Sequence, residues 1–305
     1  MINIEFKSLY ELQKAFPDEE TCIKHLEEMR WNGNVVSPFD ENSKVYVCKG
    51  HKYKCKSSGK YFNVKTGTLF DNSKIELQKW FYAIWIFTNH KKGISSAQLA
   101  RDISVTQKSS WFLLARIRAC FGLEEIKPAM EDNTMLDETF VGGKNKNRHH
   151  DKKVAQSQGR SFKDKTPVLG MMSNGMVRTQ VVESTSARHI QPHLLKHIPA
   201  NTTIVTDEWH AYNGLDNIYT REVVDHSRGQ YVNDCGFTTN ALEGFWSHLK
   251  RGIIGIYHNT SRRHLQGYAD EFAFRYNTGL CSDPARFNLL LNNTHCRTKY
   301  KDLVS

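Results

Sequence analysis

TNALEGFWSHLKRGIIGIYHNTSRRHLQGYADEFAFRYN, residues 239–277, is the stretch on which the reading of this chain turns. Asn240 suits a helix N-cap, and Leu242, Phe245, Trp246, Leu249 and Ile253 follow at i, i+3, i+4, i+7 and i+11, one apolar stripe of an α-helix. Glu243 and Lys250 stand seven residues apart, nearly two turns, and project from one edge of that stripe. A carboxylate and a cation on one helix edge suit a metal-dependent phosphate site. The same residues also spell a capping box, with Asn240 at the cap and Glu243 three positions on. Taken alone, the stretch leaves both readings open, and the capping box is the plainer one.

Outward from it, bulk properties narrow the choice. A chain of 305 residues has room for one large domain or two to three small ones. A net charge of +10 and a pI near 9.2 point to a polyanionic partner, most simply nucleic acid. The N-terminus, MINIEFKSLYELQKAF, is polar and amphipathic rather than a signal peptide, and the aromatic-aliphatic run Phe81–Phe87 is too short to cross a bilayer. Seven cysteines without framework spacing fit a reducing compartment. An intracellular, soluble protein with no membrane partner is expected.

Taken in order, residues 1–30 read as two helices separated by Pro17, with Leu9, Leu12 and Phe16 and then Cys22, Ile23, Leu26 and Met29 at helical spacing. Residues 31–70 alternate apolar residues with glycines and polar turns and read as a small β module. Its layout resembles a zinc ribbon in which one knuckle falls on Ser37 and Asp40 and the other on Cys55 and Ser58. A single thiolate remains at those four positions. Cys48, His51 and Cys55 form another trio without an evident fourth ligand, so a degenerate, metal-free module is expected and structural zinc is not. After an apolar helix from Ser73, residues 94–121 read as helix, turn at Ile103–Val105, helix. That is helix-turn-helix spacing, with Gln107, Lys108, Ser109 and Ser110 opening the second helix and Arg116 and Arg118 available for phosphates.

Beyond a polar link at 122–133 the pattern changes to strands. TMLDETFVGG alternates, with Leu136 and Phe140 to one side and Met135, Asp137, Thr139 and Val141 to the other. A mid-strand aspartate is disfavoured unless a partner or metal compensates it. Residues 144–165 carry eight Lys/Arg and two Asp, a mobile basic loop suited to phosphate backbones through Lys144, Lys146 and Arg148. A hairpin turning at Ser173-Asn174-Gly175, a helix from Ser184 or Ser186, a buried strand ending in Asp207-Glu208, a short strand around Val223-Val224 and the helix at 240 complete the order. This is an α/β pattern, a mixed sheet flanked by helices. Ligands gather at strand ends in such sheets, so Asp137, Asp207 and Glu243 can converge.

Two strand aspartates and a helix glutamate are what a two-metal phosphoryl-transfer site requires. At this point the chain resembles the DDE transposases of insertion sequences, more narrowly the ISXO-like group and its eukaryotic Merlin relatives. The resemblance rests on TGTLFDNSKIELQKWF, LDETFVGGKNKNRH, TDEWHAY and the stretch quoted first. It implies a ribonuclease-H-like five-stranded sheet; Asp137, Asp207 and Glu243 as the catalytic, metal-binding triad; two Mg²⁺ or Mn²⁺ ions; and Lys250, with Arg251, on DNA phosphate. Glu138 and Glu208 alternate to the opposite sheet face and are left out.

The resulting expectation is a DNA transposase that cleaves transposon ends and transfers strands into target DNA. It would act on double-stranded terminal inverted repeats as a homo-oligomer, in the nucleus of a eukaryote or in the cytoplasm or nucleoid of a bacterium. The expected division is an N-terminal module over 1–65, a helical DNA-binding region over 66–125, a catalytic domain over 130–280 and a tail over 281–305. A domesticated or decayed copy that binds DNA without cutting it is the alternative. A ribonuclease-H-like repair nuclease would account for the triad but not for the run from Lys250 to Asn277.

Overall fold

Helix caps fix the start of the chain. In the computed structural model, which describes residues 6–142, 149–153, 165–224 and 238–304, Ser8 caps α1 (Leu9–Ala15) and Asp18 caps α2 (Glu19–Trp31). Each cap side chain accepts a backbone N–H from the first turn, and Pro17 stands between the two helices. β1 (Val45–Cys48), β2 (Lys52–Cys55) and β3 (Tyr61–Phe62) then form an antiparallel sheet, held to the end of α2 by Trp31 edge-on against Tyr53 and Phe62.

At the four knuckle positions the side chains make a hydrogen-bonded cluster. Ser37 and Asp40 pair across a bridge, and the Ser57 hydroxyl lies 2.6 Å from Asp40 Oδ2 and 3.3 Å from Cys55 Sγ. Hydroxyls of Ser37, Ser43, Ser57 and Ser58 draw the Cys55 thiol down to about 5. The trio Cys48, His51 and Cys55 does not gather: Cys48 Sγ faces the Tyr46 carbonyl, and His51 faces Glu27 at 3.9 Å.

α3 (Leu77–Asn89) is apolar on nearly every side and buried accordingly. α4 (Ser96–Asp102), capped by Ser95, and α5 (Gln107–Phe121), capped by Thr106, meet at a turn where Ser104 takes φ 53°. The helix, turn and helix fall where the sequence places them.

The second unit, Glu124–Gly279, opens with β4 (Thr134–Gly142), β5 (Lys165–Ser173) and β6 (Met176–Val181). Asn174 and Gly175 both take positive φ in the tight turn between β5 and β6, as a two-residue hairpin requires. α6 (Ala187–His197), β7 (Thr203–Thr206), β8 (Thr220–Val223), α7 (Asn240–Gly252) and α8 (Leu265–Asn277) follow. The sheet runs β6-β5-β4-β7-β8, antiparallel through β6, β5 and β4 and parallel from β4 through β7 to β8. A meander followed by two parallel strands is the ribonuclease-H-like arrangement. Alternation along β4 sorts the core into two layers. Leu136 joins the layer under α6 with Ile190, Leu194 and Tyr212; Val141 joins the layer under α7 and α8 with Phe245, Trp246, Leu249 and Phe272.

From Leu280 the chain rejoins the first unit, Met1–Leu123 and Leu280–Ser305, through α9 (Asp283–Asn292) and α10 (Tyr300–Val304). Phe287 of α9 is fully buried against Phe6, Phe81 and Trp85. The C-terminal segment therefore contributes to that unit's core.

Candidate metal and nucleic-acid site

Asp137 sits in the middle of β4, opposite Gly170 of β5. Gly170 leaves a slot that the Trp246 indole of α7 fills: a Cβ there would stand 2.6 Å from the ring. From this slot the indole N–H donates to Asp137 Oδ2 at 2.8 Å. Desolvation pushes the Asp137 carboxyl up to about 6, and Asp207 and Glu243 push the same way; the Trp246 N–H and the Glu138 backbone oppose them. Glu138 turns to the other layer, as alternation requires, where the Tyr212 hydroxyl donates to it.

Asp207 follows the last residue of β7. β7 pairs parallel with β4 so that Thr134 meets Ile204 and Met135 meets Val205. Two residues further in that register, Asp207 reaches the level of Asp137 with matching parity. Its Oδ1 accepts the Trp209 N–H at 3.0 Å, and Arg221 of β8 holds the turn by donating to the Asp207 carbonyl at 3.2 Å and to Thr206 Oγ1 at 3.0 Å.

Glu243 lies in the first turn of α7, exposed, where the helix N-terminus favours a carboxylate. The expected capping box is not formed. Thr239 occupies the cap position, Asn240 is the first helical residue with its N–H bonded to Thr238 Oγ1, and Glu243 falls one place too late to reach back. Lys250 is exposed two turns on, its ammonium lowered by desolvation and by Lys165 against the pull of Asp137. Arg251 beside it is exposed. Gly252 ends the helix against Phe272 of α8, and one π turn, Ile253–Tyr257, follows.

The fold thus brings Asp207, Glu243 and Lys250 each within electrostatic reach of Asp137. Among the described residues no three His, Cys, Asp or Glu side chains gather closely enough to grip an ion. Lys144, Lys146 and Arg148 lie outside the described residues. Lys108 belongs to the first unit, at the start of α5, with its ammonium 5.3 Å from the Tyr300 ring. Arg116 and Arg118 correct the sequence reading: both are buried, Arg116 donating to the carbonyls of Leu69, Asp71 and Thr298 and Arg118 lying over Phe87. They are structural cations.

Sequence reasoning missed the Trp246 N–H, the Gly170 slot and Arg221. A lone glycine inside an apolar strand is a sign of close approach, and it was the available clue for Gly170. Nothing local marked Arg221.

The unit is a mixed five-stranded sheet flanked by helices, with Asp137 on β4 and Asp207 just past the end of the neighbouring parallel strand β7. Residues 130–277 match the ISXO2-like transposase domain, so that part of the chain is similar to the insertion-sequence transposases that carry it. A protein of the transposable element ISH50 of Halobacterium salinarum is 29% identical over 278 residues, covering 86% of this chain and 92% of that protein. Among solved structures, a pre-cleavage Mos1 transpososome is 11% identical over 71% of this chain and 79% of that one, with a TM-score of 0.19. A Mos1 transposase paired-end complex with the left transposon end is 13% identical over 70% and 78%, with a TM-score of 0.21. Among the described residues no helix is long and apolar enough to cross a membrane.

Proposed function

We infer that this protein is an active DDE transposase, which hydrolyses phosphodiesters at the ends of its element and joins the freed 3′-hydroxyl to target DNA. The observation that carries the reading is the half-buried Asp137 carboxyl, held by Trp246 and repelled by Asp207 and Glu243. Three carboxylates offer only hard oxygen donors, and their mutual repulsion is relieved by a divalent cation, so the donor set fits Mg²⁺ or Mn²⁺. Asp137, Asp207 and Glu243 would hold the ions. Two such ions supply Lewis-acid activation of the attacking oxygen and charge for the leaving one.

The chain's own groups do the rest. Trp246 fixes the rotamer of Asp137, Arg221 holds the Asp207 turn, and α7 presents Glu243 and Lys250 from one edge. Lys250 and Arg251 neutralise the strand being cut. Lys144, Lys146 and Arg148 extend the same charge along the backbone, and Lys108 serves the helix-turn-helix region. Double-stranded terminal repeats and target DNA are the partners, engaged by a homo-oligomer inside the cell.

A decayed copy that binds without cutting is the second reading. The serine cluster around Cys55, which stands where a metal knuckle would, favours it. One assay separates them: purified protein, DNA carrying the element's terminal repeats, and Mg²⁺ or Mn²⁺. Strand cleavage that Glu243→Gln abolishes supports the enzyme; binding without cleavage by the wild type leaves the decayed copy. For the N-terminal module, elemental analysis that finds about one zinc per chain would overturn the metal-free expectation.

A further inference from the structure

We propose that Cys120 and Cys296 are an oxidisable dithiol, and that a peroxide-class oxidant joins them and locks the C-terminal segment along α5. The two sulfurs lie 2.6 Å apart although their residues are 176 positions apart in sequence. Cys120 is in the last turn of α5, fully buried; Cys296 is half-buried in the segment between α9 and α10.

That segment runs antiparallel to α5 in step with its turns. Cys296 meets Cys120, the Thr298 carbonyl accepts from Arg116 Nε at 3.1 Å, and the Tyr300 ring packs 5.5 Å from Phe112 and 6.4 Å from Trp111. Two residues of extended chain advance about 7 Å and one helical turn about 5.4 Å, so alternate residues of the segment can follow successive turns. Two further ties hold the segment: Arg297 to Asp71 at 2.8 Å, and Leu69 N–H to the Thr294 carbonyl at 2.8 Å.

The chemistry is asymmetric. Burial raises the Cys120 thiol, while a hydrogen bond from Cys120, with help from the Arg116 guanidinium, lowers Cys296. The Cys296 thiolate attacks one peroxide oxygen, the O–O bond breaks, and a sulfenic acid and water result once a proton is taken up. Cys120 then gives up its proton and attacks the Cys296 sulfur; the S–S bond forms and the second water leaves. Two thiols are oxidised and one peroxide is reduced to two waters.

The lock bears on DNA only through the reading of α5 as a DNA-reading helix, because Tyr300 covers Phe112 and Trp111 and sits under Lys108. On that reading, oxidation lowers affinity for terminal-repeat DNA at least several-fold.

The test treats the native full-length protein with stoichiometric hydrogen peroxide and maps its peptides by mass spectrometry without reduction. The expected product is a monomer lighter by about 2 Da, with the peptides containing Cys120 and Cys296 linked. Cys296→Ser should abolish the link, and Cys281→Ser, which removes an exposed thiol, should keep it. Oxygen added at Cys296 without a link, or links between chains through Cys281, would overturn the dithiol. DNA binding unchanged in the linked monomer would remove the masking step. The mass readout needs no DNA, so it stands or falls apart from the transposase reading.

Discussion

At the scale of single residues, Asp137 carries a cost that its proposed metal-binding role would offset. A carboxyl held at about 6, against an ordinary 3.8, destabilises the metal-free fold by on the order of 3 kcal/mol once it is ionised. The sign follows from proton binding. The folded state holds the proton more tightly, so the stabilisation is full below pH 3.8 and is lost as pH rises through about 6. Asp137→Asn should therefore raise the melting temperature of the metal-free protein at neutral pH, with the gain shrinking toward pH 4. Mn²⁺ should stabilise the wild type increasingly above pH 6 and the variant little; equal stabilisation of both would place the ion elsewhere. The indole partner offers a second test. Trp246→Phe keeps a ring over Gly170 but removes the hydrogen bond to Oδ2, an expected loss of about 1–3 kcal/mol in urea unfolding. Trp246→Ala also empties the slot and should cost about 3–5 kcal/mol. If the two variants lose the same stability, the N–H has no special part.

At the scale of elements, α7 shows why pattern reading succeeds for a helix and slips at its end. The stripe Leu242, Phe245, Trp246, Leu249 and Ile253 is buried as its periodicity predicts. The cap is one residue earlier than predicted, because Thr238 binds the Asn240 N–H and draws that residue into the helix. Where α7 meets α8 the approach is closer than a side chain allows: a Cβ on Gly252 would stand 1.9 Å from the Phe272 ring. Gly252→Ala should cost about 1–3 kcal/mol, read as a lower urea midpoint with an unchanged slope. An unshifted midpoint would mean that the two helices separate freely. The β5–β6 hairpin and the helix-turn-helix were readable because Asn-Gly and the serine and threonine caps are local signals.

At the scale of the whole molecule, a net charge of +10 sets how DNA should be held. If Lys108, Lys144, Lys146, Arg148, Lys250 and Arg251 each neutralise a phosphate, affinity should fall by about 10³ between about 50 and 200 mM salt. Fluorescence anisotropy on terminal-repeat DNA measures that slope. Lys250→Ala should flatten it by about one; a slope indifferent to salt would remove the backbone role of these cations. The chain's second unit is inserted into its first, which departs at Leu123 and resumes at Leu280. Phe287 reaches the same core as Phe6 and Phe81, a closure that no local pattern announces.

The sequence by itself determined the periodic elements, the turn chemistry, the basic balance and the order of acidic residues along the chain, because each is written in spacings of a few residues. Only the tertiary structure decided which side chains meet. Parallel pairing of β7 with β4 brings Asp207 to the level of Asp137, and Gly170 lets Trp246 hold that carboxyl. Burial turned Arg116 and Arg118 from expected phosphate contacts into structural cations. Those outcomes depend on contacts between residues far apart in sequence, where packing and desolvation decide and local propensity carries no information.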